Sequence, residues 1–140
     1  MKSQLSLVLR NETEELERMS EEVSAWCKAN EISAATEFRV NLTLDEIVSN
    51  VIRHGWKDGG EHQLDVRIFL LEDELRLEVE DDATPFNPLE APPPDISSPL
   101  EERPIGGLGV HLVRQIMDEL AYRRLDGKNL LVMKMKIGGT

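Results

Sequence analysis

The chain is expected to fold as an α+β two-layer sandwich, on three observations. Alternating apolar and polar runs come in hairpin pairs, and amphipathic helical stretches are grouped between them. All seven prolines fall between Pro85 and Pro104, leaving patterned sequence on both sides. Strands in hairpins with helices grouped between them indicate helices packed on a sheet rather than alternating βα units.

The elements follow in order. Residues 3–10, SQLSLVLR, alternate as a strand. Asn11 is placed to cap a helix starting near Glu12, with Glu14 and Glu15 at the favourable end of its dipole. Leu16, Met19, Val23, Trp26 and Cys27 recur at helical spacing. Ser33 is a second cap, supported by Glu37, for a helix running to about Arg53 and stopped by His54-Gly55. Its apolar stripe is Val40, Leu44, Ile47, Val48 and Val51. QLDVRIFLLED and ELRLEVEDD read as one hairpin. Gly106-Gly107-Leu108-Gly109 opens a third helix to about Glu119. Tyr122–Leu125 and Asn129–Ile137 form a second hairpin, turning at Asp126-Gly127. Residues 1–140 read as one domain with a Pro-rich lid at about 84–105, because proline excludes regular helix and central strand there.

Composition narrows the function. Sixteen Lys and Arg against 27 Asp and Glu give a net charge of −11, which disfavours nucleic acid and anionic membranes as direct partners. One cysteine, Cys27, excludes an intrachain disulfide and a Cys-rich zinc site; it reads as an inert buried thiol. No apolar run approaches a membrane span, and MKSQLSLVLRNETEE turns acidic too early for a secretory leader. Cytoplasmic placement follows by default.

Three stretches carry candidate chemistry. Glu46-x-x-x-Asn50-x-x-x-His54 would align a carboxylate, an amide and an imidazole along the flank of a helix. An amide oxygen suits a hard cation such as Mg²⁺, whereas the bland alternative is a solvated polar flank. Glu80-Asp81-Asp82 ends a strand at the lid, where a carboxylate could accept from a base amino group or simply form a solvated turn. The glycine turn at 106–109 would present free N–H groups to phosphate, or act as a hinge. It is neither a Walker A loop nor a Rossmann fingerprint. Trp26 and Trp56 read as packing residues, and His62 and His111 as structural or exposed.

With LTLDEIVSNVIRHGW, VEDDATPFNP and GGLGVHLVRQIMDELAYRR in that order, the chain resembles the GHKL superfamily of histidine-kinase-like ATPases. Within it, the sequence is most similar to the anti-sigma-factor serine/threonine protein kinases. The resemblance covers nearly the whole chain, including the closing GKNLLVMKMKI. It implies a mixed, mainly antiparallel sheet covered by three helices on one face, with ATP and Mg²⁺ as cofactors. It also implies Glu46 as the carboxylate that acts as general base or orients the nucleophile, Asn50 as the Mg²⁺ ligand, His54 as a pocket-shaping residue and Asp81 as the reader of the adenine amino group. Gly106, Gly107, Leu108 and Gly109 would meet the phosphates. Phe86 and Pro88 would begin the lid. The implied partners are an anti-anti-sigma domain and a sigma factor, and a homodimer is compatible with it.

One position departs from the family pattern. Ala83 stands where Asp-x-Gly would place glycine. Its methyl is expected to crowd the adenine edge, and a left-handed backbone there would cost alanine roughly 1–2 kcal/mol. Two functions therefore stay open: a kinase, and a nucleotide-gated protein-binding module with little or no kinase activity. A sensor histidine kinase would need a phosphoacceptor hairpin, and larger GHKL machines a transducer domain; neither is visible in these 140 residues.

Overall fold

Period-two alternation builds the sheet. The computed structural model describes residues 1–87 and 107–137. Its elements are β1 (Ser3–Arg10), α1 (Glu15–Ala29), α2 (Ala34–His54), β2 (Gln63–Leu70), β3 (Glu74–Asp81), α3 (Gly107–Ile116), β4 (Glu119–Leu125) and β5 (Lys128–Lys136). The expected element order holds. The strands lie in the order β1-β2-β3-β5-β4. Each neighbouring pair is antiparallel, so no pairing in the sheet is parallel among the described residues.

One parity of each strand is apolar and buried. Leu7 and Leu9, Leu64, Val66 and Ile68, Leu75, Leu77 and Val79, and Leu131, Met133 and Met135 form the sheet side of the core. Met19, Val23 and Cys27 of α1, Val40, Leu44, Ile47 and Val48 of α2, and Val113 of α3 close over it. The opposite parity is charged: Arg67 pairs with Glu78 at 2.9 Å and Glu80 at 3.3 Å, and Arg76 with Glu78 at 2.8 Å. Burial pushes the Cys27 thiol up to about 11, as an inert core thiol requires.

Two helix boundaries differ from expectation, each for a tertiary reason. Asn11 does not cap α1. Its amide instead ties the end of β1 to the loop before β2, donating to the Gly60 carbonyl at 3.0 Å and accepting from the His62 N–H at 2.9 Å. The helix starts later, at Glu15, with no side-chain cap. At the other end of the chain, α3 stops at Ile116 and not near Glu119. Asp118 is taken by β5: its N–H donates to the Lys134 carbonyl at 2.9 Å, and its carboxylate accepts from the Lys136 N–H at 2.7 Å. Ser33 does cap α2, accepting from the Thr36 N–H at 3.2 Å. Asp126 (φ 53°) and Gly127 (φ 77°) both turn left-handed, as a two-residue type I′ hairpin demands.

Glu15 replaces the missing cap with an ion pair. Only 6% exposed, it accepts from Arg18 at 3.0 and 3.1 Å and from the Arg10 N–H at 2.9 Å. The Arg18 hydrogen bonds, then the Arg10 N–H, hold its carboxyl down at about 2 against an ordinary 4.5. A depressed carboxyl stabilises the fold fully above its unfolded value, and that contribution disappears as the pH falls toward the folded value. Glu15→Gln should therefore lower the melting temperature at neutral pH. Its deficit should shrink as pH drops from 4.5 toward 2. A wild-type and variant gap that stays constant on acidification would refute this role.

Candidate functional site

The site begins on α2, whose polar flank lies beside its buried stripe. Glu46 and Asn50 are half-buried, one turn apart, and Asn50 Nδ2 donates to Glu46 Oε1 at 3.2 Å. His54 ends the helix and is exposed. The Glu46 carboxylate lies against Gly109 in the first turn of α3. A methyl group on Gly109 would overlap its Cδ and both oxygens. The first and third candidate motifs therefore meet in space. A carboxylate at that end of α3 sits where the helix dipole is positive.

Asp81, the end of β3, points to the core side of the sheet and is 7% exposed. Its Oδ1 accepts twice, from the Ala83 N–H at 3.0 Å and from Asn129 Nδ2 at 2.9 Å. Burial pushes its carboxyl above the usual range. The bonds from Asn129 and Ala83 oppose that, while neighbouring Asp82 raises it and Arg124 lowers it.

Ala83 does not behave as its sequence context suggested. Among the described residues, Glu31 and Asp126 are the non-glycine positions with left-handed φ, and Ala83 is not one of them. The residue is 3% exposed. Its methyl is turned toward Gly55, just past α2, where an added Cβ would come within 2.7 Å of it and 2.5 Å of the Val51 carbonyl oxygen. The left-handed penalty is therefore absent, and the methyl packs where Gly55 supplies the small residue that this contact needs. Thr84 fastens the same segment, donating its N–H to the Gly55 carbonyl at 2.9 Å and its hydroxyl at 3.1 Å.

Three residues here were not picked out from the sequence. Arg124 Nη1 donates to the Ala83 carbonyl at 2.7 Å. Asn129 Nδ2 also faces the Thr84 carbonyl at 3.0 Å and the Ala83 carbonyl at 3.3 Å. The Tyr122 hydroxyl donates to Asn129 Oδ1. A signal existed: Asn129 shares parity with Leu131, Met133 and Met135, so an amide was placed on an apolar face.

The remaining candidates divide. Phe86 is 52% exposed. Gly107 and Leu108 open α3. Pro88, Gly106 and most of the expected lid lie outside the described residues. Trp56 packs at the rim as expected, stacked on His62 at 4.8 Å and donating to Asp82 Oδ1 at 3.0 Å. His62 pairs with Asp58 at 2.9 Å, and His111 with Gln115 at 3.1 Å. A cavity of about 520 Å³, with Asp81 in its wall, opens at this end of the sheet. Glu61, Asp65, Glu80, Asp81 and Asp82 outnumber Arg10 and Lys128 in its lining, so it repels phosphate.

Among the described residues no cluster of three or more His, Cys, Asp or Glu could hold a metal. Mg²⁺ does not need one, since it commonly keeps waters and phosphate oxygens and takes one or two protein ligands. The amide oxygen of Asn50, whose Nδ2 is the atom that bonds to Glu46, fits that donor set.

Residues 9–135 match the family of the histidine kinase-like ATPase domain. The chain is 29% identical over 101 residues to the serine/threonine-protein kinase BtrW of Bordetella bronchiseptica, covering 72% of this chain and 71% of that protein. It is 32% identical over 100 residues to the serine-protein kinase RsbW of Bacillus cereus, covering 68% of this chain and 61% of the relative. The fold is similar to the crystal structure of the RsbU and RsbW domains of Rv1364c from Mycobacterium tuberculosis. That likeness has a TM-score of 0.69 at 12% identity, over 99% of this chain and 35% of the other.

The Gly55–Ala83 contact can be tested as a pair. Gly55→Ala should destabilise by about 1–3 kcal/mol, the usual cost of overpacking. Adding Ala83→Gly should recover part of that loss, while Ala83→Gly alone should cost rather than gain stability. Urea melts of the four proteins measure the coupling, and strict additivity would show that the two positions do not touch.

Proposed function

Because the chain belongs to the histidine kinase-like ATPase domain family, we propose that it is an ATP-dependent serine/threonine protein kinase acting as an anti-sigma regulator. The observation that carries this reading is the meeting of Glu46 with the first turn of α3 at Gly109. It brings a proton acceptor to the place where the glycine turn would receive phosphates. The relatives named as serine and threonine kinases support it.

Each residue has a role in that reading. Asp81 would accept the amino group of adenine. The backbone N–H groups that open α3, with Gly107 and Gly109, would receive the phosphates. Asn50 would hold Mg²⁺ together with phosphate oxygens, and the ion would neutralise charge on the transferring group. Glu46 would accept the proton of a serine or threonine hydroxyl on the partner, while Asn50 Nδ2 steadies its Oε1. His54, exposed past this pair, would shape the pocket and transfer no proton. The partners in this reading are an anti-anti-sigma domain, which is phosphorylated, and a sigma factor, which is sequestered. A net charge of −11 leaves nucleic acid to those partners. No helix among the described residues is long and apolar enough to cross a membrane. Cytoplasmic action is part of the proposal.

The binding-module alternative drew its support from Ala83. That support weakens because the backbone at Ala83 is not left-handed and carries no such penalty.

The deciding variant is Glu46→Gln, assayed with radiolabelled ATP on an anti-anti-sigma domain that the wild type phosphorylates. Nucleotide affinity should stay within a few-fold. Phosphoryl transfer should fall by roughly 10²–10⁴, the usual worth of a positioned base. Asn50→Ala should weaken Mg²⁺-dependent binding and transfer together. Undiminished transfer by Glu46→Gln removes Glu46 from the mechanism. ATP binding without phosphorylation of any partner by the wild type would make the binding module the better reading.

A further inference from the structure

We propose that Asn129 is the positioning residue that makes the site selective for adenine over guanine, by fixing the orientation and charge of Asp81. The inference rests on the nucleotide-binding reading and deepens it.

The geometry assigns every polar atom of the Asn129 side chain. Asp81 and Asn129 are cross-strand partners in the β3–β5 ladder, and both are buried. The Tyr122 hydroxyl donates to Asn129 Oδ1, so the carbonyl end of the amide faces β4. The amino end then faces Asp81 Oδ1 at 2.9 Å and the Thr84 carbonyl at 3.0 Å. A flipped amide would set its carbonyl oxygen against the carboxylate, which is repulsive. Asp81 and the Thr84 carbonyl, which can only accept, therefore select the flip, and the Tyr122 hydroxyl, which can donate or accept, holds the Oδ1 that this leaves facing β4.

Both donors to Asp81, Asn129 Nδ2 and the Ala83 N–H, converge on Oδ1. Oδ2 accepts no hydrogen bond from the described residues and is left for a ligand. An ionised Oδ2 can only accept. It suits the exocyclic amino group of adenine and repels the carbonyl oxygen that guanine carries at the equivalent position. A protonated Asp81 would instead donate to that carbonyl, and the discrimination would fade. Burial and neighbouring Asp82 both favour the protonated form. Arg124, the nearby cation, is engaged with the Ala83 carbonyl at 2.7 Å. Its charge still favours the ionised form, as do the Ala83 N–H and Asn129, and Asn129 is the side chain that donates directly to the carboxylate.

The experiment measures Mg–ADP and Mg–GDP affinity by calorimetry across the acid range, for the full chain and its variants. Asn129→Ala should reduce the ADP-to-GDP preference by about ten- to a hundredfold, the worth of a hydrogen bond to a charged group. Its ADP affinity should also fall off at higher pH than that of the wild type. Asn129→Ser, which keeps a donor, should recover part of the preference. Tyr122→Phe should shift preference in the same direction by less, and it decides the matter if Asn129→Ala does not fold. Equal weakening of both nucleotides, or an unmoved acid limb, would make Asn129 merely structural and overturn the proposal. If the wild type binds neither nucleotide, the nucleotide reading itself fails. The positioning claim then stands or falls on the Asp81 carboxyl titration by NMR, which Asn129→Ala should move upward.

Discussion

A carboxylate buried at the end of a central strand is the constraint around which this end of the molecule is arranged. Asp81 lies on the core side of β3, where every preceding residue of its parity is apolar. A charge there is costly unless hydrogen bonds meet it. The chain meets it with the Ala83 N–H and the Asn129 amide. Those bonds require the backbone to turn sharply after β3, and they require β5 rather than β4 to lie next to β3. The strand order β1-β2-β3-β5-β4 satisfies the second condition. The first is enforced by Thr84 and Ala83, held at the end of α2 and by Arg124.

The same turn joins the sheet to α2. Gly55 is glycine because of what approaches it, not because of its backbone angles. Its φ of −73° is open to any residue, but a side chain there would strike the Val51 carbonyl and the Ala83 methyl. About 30 Å of helix are thus registered against the site at one small residue. From that anchored end, Asn50 and Glu46 lie one and two turns back along α2. Glu46 reaches the opening of α3 only because Gly109 has no side chain. Two glycines of different duty, one for close packing and one for access, place the Asp81 turn and the Glu46 carboxylate on one frame.

Much of this was legible in residue order. The parity of SQLSLVLR, QLDVRIFL and ELRLEVED located three strands, and Asp126-Gly127 located the second hairpin. The stripe from Val40 to Val51 placed α2 and put Glu46 and Asn50 on its flank. The motifs then carried the family resemblance that the comparisons bear out. The errors came where a local rule met a distant partner. Asn11 looked like a helix cap but bonds to Gly60 and His62, about fifty positions away in sequence. Glu119 fitted the helical pattern but pairs with Lys134 of β5.

The sequence alone therefore determined the elements, the face each residue belongs to, and the candidate residues of α2, because these depend on periodicities within one segment. Only the tertiary structure decided which faces meet. It placed Asn129 on Asp81, which is 48 positions away. It turned the Ala83 methyl toward Gly55 and set Glu46 against Gly109. Such pairings depend on strand register and on the packing of helices that share no local signal. A one-residue slip of β5 would carry Asn129 to the opposite face of the sheet and leave Asp81 buried without its amide.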